Sequence, residues 1–196
     1  MSNQRITPGN TLIVVALEDE LPEYMVSGWK VVYTGVGKVN AAIAATEAVL
    51  EARPAHLINY GTAGALNPEI TGLNRVNRIV QRDMDVRPLG FKLGHTPFDT
   101  INHIDLNGTG VSLGTGDHFV TTPPELITDI VDMEAYAIAK ACYLSGVDFV
   151  TYKYITDGAS EEAAAEWLSN CRKGAGDFLE VLCRPGPHRL LPDGTP

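Results

Sequence analysis

Cysteine is scarce in this chain: Cys142, Cys171 and Cys183 are three in 196 residues, widely spaced and without a CxxC pair. That pattern excludes a disulfide framework and a zinc-ribbon arrangement. Two of the three fall in expected helices, where buried structural thiols are the ordinary reading. Long apolar runs are missing too, and none approaches the roughly 20 residues of a membrane span. Residues Met1 to Gly9 lack a signal-peptide hydrophobic region, so a cytoplasmic protein is expected. Positive charge is in short supply, with 15 Lys and Arg against 24 Asp and Glu and a net charge of −9. This balance argues against a nucleic-acid backbone or an anionic membrane surface as main partner. It leaves small ligands open. What is present is ordinary for a globular chain, 44% hydrophobic and 20% charged, and long enough for a core without disulfides. One domain over residues 1–183 is expected, followed by a Pro/Gly-rich frayed tail over 184–196.

The punctuation along the chain predicts strands alternating with helices. Leu12–Leu17 is a continuous apolar run of the kind found in a central parallel strand, and Glu18-Asp-Glu20 follows it. By composition alone that triplet reads as a solvated acidic turn. Trp29–Thr34 reads as a second strand, followed by Gly35-Val-Gly-Lys38 and an alanine-rich helix stopped by Pro54. A glycine turn into a helix can cradle an anion on backbone N–H groups, although tight strand-to-helix packing explains both glycines as well. His56–Tyr60 is a third strand entering the small-residue turn Gly61-Thr-Ala-Gly-Ala65, where Thr62 offers a hydroxyl. Val76–Gln81 is a fourth, leading into a long loop from Arg82 to Gly94. Val111–Leu113 reads as a short strand, and Ser160 as the N-cap of one long helix to Leu182.

The stretch from Val131 to Ala159 organises the rest. Asp132 is a plausible N-cap for an alanine-rich helix that Gly146 ends, and Phe149–Ile155 is a β-branched and aromatic strand that stops at Thr156-Asp157-Gly158. Glu134 then lies in the first helical turn and Asp157 at the carboxyl end of a strand, where open α/β sheets bind ligands. Taken singly, each acid also has a plain reading: Glu134 as a partner of the helix dipole, Asp157 as a turn residue.

Seven segments together carry a resemblance. They are Ala16-Leu-Glu-Asp-Glu20, Gly35-Val-Gly-Lys-Val-Asn-Ala-Ala42, Ile58-Asn-Tyr-Gly-Thr-Ala-Gly64, Asp83-Met-Asp-Val86 with Gly90-Phe91, Gly116-Asp-His-Phe119, Asp132-Met-Glu-Ala135 and Ile155-Thr-Asp157. In this order they resemble the purine nucleoside phosphorylase superfamily, and within it the hydrolytic 5′-methylthioadenosine/S-adenosylhomocysteine nucleosidases. The resemblance implies an α/β single domain with a largely parallel or mixed central sheet flanked by helices. It implies cleavage of the bond between adenine and C1′ of a ribose, with no metal and no cofactor. Carried over residue by residue, Asp157 would protonate the leaving purine and Glu20 would activate water. Glu134 would hold the ribose hydroxyls with Met133 beside the sugar. Phe119 would stack on adenine, and the backbone of Val120 would read its edge. Thr62 and Thr156 would support the site, and Trp167 would cap it from the last helix. Val86 and Leu17 match walls of the pocket for the 5′ substituent. Phe91 and Pro97 match residues that reach a neighbouring subunit's pocket, which implies a homodimer.

Water and phosphate make different demands. Phosphorolysis needs cations for a dianion. The phosphorylases resembled carry arginines near the first strand and before the third strand's glycine turn, where this chain has Glu20 and Asn59. Hydrolysis is therefore expected. One departure concerns the stretch between Pro97 and Gly116, which is much shorter than in the usual nucleosidase. Arg87 and Lys92 beside it would suit a more polar 5′ group. Two other readings remain open: a different purine nucleoside hydrolase or phosphorylase of the same superfamily, and a catalytically silent nucleoside-binding protein.

Overall fold

β1 (Thr11–Val15) is buried along its whole length, and its alternation divides the core in two. Leu12 and Val14 face one side, packing with Leu57, Ala41, Ala45 and Ile138. Ile13 and Val15 face the other, with Ile58, Tyr60 and Phe178. Strand side chains alternate between faces, so an unbroken apolar run belongs in a sheet covered on both sides. The computed structural model describes residues 5–183; the expected tail over 184–196 lies outside them.

The remaining strands and α-helices are β2 (Lys30–Tyr33), α1 (Lys38–Ala52), β3 (His56–Ala65), β4 (Leu73–Gln81), β5 (His103–Asp105), β6 (Val111–Thr115), β7 (Ile130–Asp132), α2 (Ala135–Ser145), β8 (Asp148–Asp157), α3 (Ala163–Asn170) and α4 (Ala175–Cys183). β3 runs parallel to β1 and β8 and antiparallel to β7. β4 pairs parallel with β6 and antiparallel with β5 and β8, while β6 and β7 are parallel. The pairings β3–β8–β4–β6–β7–β3 close a ring, and β1 and β2 extend it as a parallel wing. The sheet is thus mixed, and it is flanked by helices as expected.

Several boundaries differ from the sequence expectation. β3 continues through Gly61–Ala65 rather than turning there, because β8 pairs with it as far as Asp157. β5 and β7 are strands the sequence did not announce; at three residues each they are too short to show a period. The one long C-terminal helix is two. α3 ends at Asn170 and α4 begins at Ala175, so that α3 covers the strand ends while Phe178 of α4 stacks on Tyr60 across the sheet at 4.4 Å. Gly174 lies in the break, where a Cβ would come within 2.2 Å of the Tyr154 ring. Ser160 does not cap α3, whose N-cap position is Glu162. Of the cysteines, only Cys142 is buried; Cys171 is half-buried and Cys183 exposed. Among the described residues no helix is long and apolar enough to cross a membrane.

Candidate active site

The carboxyl ends of β1, β3, β4, β6, β7 and β8 converge on a cavity of about 250 Å³. Glu20, Thr62, Phe119, Val120, Met133, Glu134, Thr156, Asp157 and Trp167 all line it, together with Leu17. Residues more than 140 positions apart in sequence are thereby gathered in one place. Val86, Phe91 and Pro97 do not line it. Phe91 instead packs edge-on against Phe98, which is 97% exposed.

Glu20 is the only acid of its triplet to turn inward: Glu18 and Asp19 are exposed, whereas Glu20 is buried. The turn after β1 folds back on itself, with the Leu17 N–H donating to Glu20 Oε2 at 3.1 Å. Thr62 donates to Oε1 from both its backbone N–H, at 2.8 Å, and its hydroxyl, at 2.7 Å. Trp167 fixes the direction of that hydroxyl, because its indole N–H donates to Thr62 Oγ1 at 2.9 Å. Oε1 is thus engaged by Thr62, while Oε2 carries a single bond and retains acceptor capacity.

Asp157 closes β8, where the register with β3 slips between Ala63 and Gly64. Irregularities of this kind are frequent beside active sites because they re-aim a side chain. Here the slip brings Asp157 Oδ1 so close to Gly64 that a Cβ there would sit 2.7 Å from it, so any side chain at 64 would have to displace the carboxyl group. Thr156 Oγ1 donates to Asp157 Oδ2 at 2.8 Å and the Ala159 N–H to Oδ1 at 3.0 Å. Burial nevertheless outweighs these bonds and raises the carboxyl above its ordinary range.

Glu134 occupies the N-cap position of α2 rather than its first turn. The capping bond comes from Asp132, at the end of β7, which accepts the Ala135 N–H at 2.8 Å. Glu134 Oε1 takes the Gly37 N–H at 2.9 Å, and Asp117 Oδ1 takes the Lys38 N–H at 2.7 Å. The glycine turn into α1 therefore does cradle anions, but they are the protein's own carboxylates. Burial first, and the neighbouring Asp132 charge second, push the Glu134 carboxyl up to about 7. The folded state then holds a proton on Glu134 that the unfolded chain has already released, so this group's contribution to stability falls as pH rises from about 4.5 to about 7. Glu134→Gln is expected to flatten the wild-type decline across that window, measured as urea midpoints at pH 5 and pH 7.5; an unchanged slope would contradict the shift.

Sequence reasoning missed Lys153. It is 2% exposed, and its ammonium lies 2.9 Å from Asp132 Oδ2. Burial disfavours its charge, but Asp132, Glu134 and Glu20 outweigh that and hold it above the ordinary lysine value. The signal was a lone lysine between Tyr152 and Tyr154 in a strand otherwise fit for the interior, since lysine is rarely buried unpaired. Arg82 and His118, which also line the cavity, were likewise passed over as loop residues. Asn59 faces the sheet, donating to Val14 O and accepting from Thr151. Arg87 is held by Asp85 and Glu125, so its guanidinium is already engaged.

The phosphorylase superfamily model matches residues 23–106 and 112–184, most of the chain. The chain belongs to that superfamily. Within it, the 5′-methylthioadenosine/S-adenosylhomocysteine nucleosidase of Geobacillus thermodenitrificans is 31% identical over 178 residues, covering 76% of this chain and 75% of the relative. The enzyme of the same name from Marinomonas is 29% identical, covering 66% and 68%. Among solved structures, a futalosine hydrolase mutant of Helicobacter pylori superposes with a TM-score of 0.79 at 21% identity, covering 88% of this chain and 97% of the other. At that identity the likeness is one of fold.

Proposed function

We propose that the chain hydrolyses the N-glycosidic bond of 5′-modified adenosines such as 5′-methylthioadenosine and S-adenosylhomocysteine, releasing adenine and the 5-substituted ribose. The observation that carries this is the charge inventory of the cavity. Four carboxyl groups line it, from Glu20, Asp132, Glu134 and Asp157, against a single arginine among the described residues, Arg82, whose guanidinium is bonded to His118 and to backbone carbonyls. Lys153 is paired with Asp132. Among the described residues a phosphate dianion would find no free cation lining the cavity, and it would meet the carboxylate of Glu20. Water meets a base in the turn after β1 and an acid at the end of β8.

The bond breaks through an oxocarbenium-like transition state. Asp157, whose carboxyl burial holds above its ordinary range, donates a proton to the purine as it leaves. Glu20 takes the proton of the attacking water on Oε2, the oxygen with acceptor capacity left. Glu134 accepts from the ribose hydroxyls, and Met133 packs beside the sugar. Phe119 stacks on the base and the backbone of Val120 reads its edge; Thr62 and Thr156 hold the two catalytic carboxylates by the bonds described. Trp167 covers the site from α3. Leu17 forms a wall of the 5′ pocket, a place the resemblance also gives to Val86, which lies off the cavity. Phe91 and Pro97, also off this cavity, reach the 5′ pocket of a second copy, which makes the working unit a homodimer. Three free thiols suit a reducing cytoplasm.

The test is a panel of 5′-methylthioadenosine, S-adenosylhomocysteine, futalosine, adenosine, inosine and AMP, with base release followed by absorbance. The thioethers are expected to have the highest kcat/KM. A preference for AMP or inosine would overturn the substrate assignment.

A further inference from the structure

Phe119 and Val120 stand in a long irregular segment between β6 and β7, yet base recognition demands that both be placed to a fraction of an ångström. What holds them is Arg82, the residue that follows β4. It is 3% exposed and its backbone N–H donates to Thr115 O at 2.9 Å. Its Nη2 donates to His118 O at 2.7 Å and to Gly116 O at 3.3 Å, and its Nη1 lies 2.8 Å from His118 Nε2. The fit leaves no slack: a Cβ on Gly116 would come within 2.8 Å of Arg82 Cζ. The next residue along, Asp83, accepts the Asp117 N–H at 2.8 Å and the Lys38 ammonium at 2.5 Å. Residues 116, 117 and 118 are thus each tied to the Arg82–Asp83 pair, and Phe119 is the first residue beyond the clasp.

We propose that Arg82 is a positioning residue for purine recognition, acting through the 116–118 segment to place the Phe119 ring and the Val120 backbone against the base. The proposal rests on the function proposed above. A planar guanidinium can span two carbonyls and an imidazole at once, which an ammonium on a flexible stem cannot. A guanidinium has only donors, so the His118 ring nitrogen that meets Nη1 serves as the acceptor. Arg82 touches no reacting atom in this scheme. It sets the base site and leaves the acid and base on β8 and after β1 untouched.

The test is Arg82→Lys, read in two ways. In kinetics, KM for the thioether nucleosides is expected to rise about tenfold, the scale of a lost charge-assisted hydrogen bond. kcat should change less, and the preference for 6-amino over 6-oxo purine nucleosides should shrink. Adding Phe119→Ala in the Arg82→Lys background should then cost less than it does in wild type. In hydrogen exchange, amides 117–120 should exchange faster in the variant while β3 and β8 keep their protection. Unchanged exchange at 117–120, or unchanged KM and base preference in an active variant, would overturn the proposal. If wild type releases no base at all, the proposed function fails and the exchange result alone decides the role of Arg82. Should Arg82→Lys fail to fold, His118→Ala, which removes one exposed acceptor and leaves the carbonyl bonds, is expected to shift KM and exchange in the same direction by about two- to threefold; no shift in either would equally sink the idea.

Discussion

Asp157→Asn is expected to lower kcat by roughly a thousandfold, within the range that a positioned general acid contributes, while affinity for free adenine changes less than about threefold. The side chain keeps its shape, so the acceptor of the Ala159 N–H and the close approach to Gly64 both survive. What is lost is the ionisable proton. In wild type burial raises the Asp157 carboxyl, so a larger share of it is protonated at a given pH than of an exposed aspartate, and its carboxyl can release that proton to the leaving purine. An amide has no such proton to give at any pH. Base release measured from pH 5 to 8, beside calorimetric binding of adenine, checks both halves. Near-normal turnover would remove Asp157 from the chemistry.

Lys153→Met is expected to be the most destabilising single change at the site, by about 3–5 kcal/mol, the usual cost of breaking a buried ion pair from one side. The ammonium sits among Asp132, Glu134 and Glu20, and Asp132 in turn caps α2 and accepts the Thr115 hydroxyl at 2.6 Å. Without the cation these carboxylates must either stay charged and unbalanced or take up protons. Their folded-state proton affinities therefore rise, the folded state binds more protons than the unfolded chain at neutral pH, and stability falls as pH increases. The deficit of the variant against wild type should be larger at pH 8 than at pH 5 in urea unfolding. A pH-independent deficit would mean that Lys153 acts by packing alone.

How much of this was legible before the structure depended on whether the signal was local. β1 announced itself as an apolar run and α1 and α2 as alanine-rich stretches with clear stops, because those elements carry their own pattern. β7 is three residues long and exists through its neighbours β3 and β6. The break between α3 and α4 answers to two distant partners, the cavity mouth and Tyr60, which nothing between residues 160 and 182 reveals. At the site, Glu20, Glu134 and Asp157 could be found in sequence through the resemblance carried by the motifs around them; taken singly, each also reads as an ordinary turn or helix-start acid. Lys153 and Arg82 could not be weighed in the same way. Their importance comes from what surrounds them, and Asp132 and His118 reach them only through the fold. The glycine turn before α1 taught a related lesson: an anion cradle was readable, but its occupants, Glu134 and Asp117, were not.

In the proposed reaction water, not phosphate, attacks the ribose. It is tested most directly by following base release from 5′-methylthioadenosine in phosphate-free buffer, then with increasing phosphate, and identifying the sugar product. The predicted result is full activity without phosphate, no acceleration on adding it, and free 5-methylthioribose throughout. A rate that needs phosphate, with 5-methylthioribose 1-phosphate as product, would contradict the account and show that the cavity's carboxylates do not exclude the dianion.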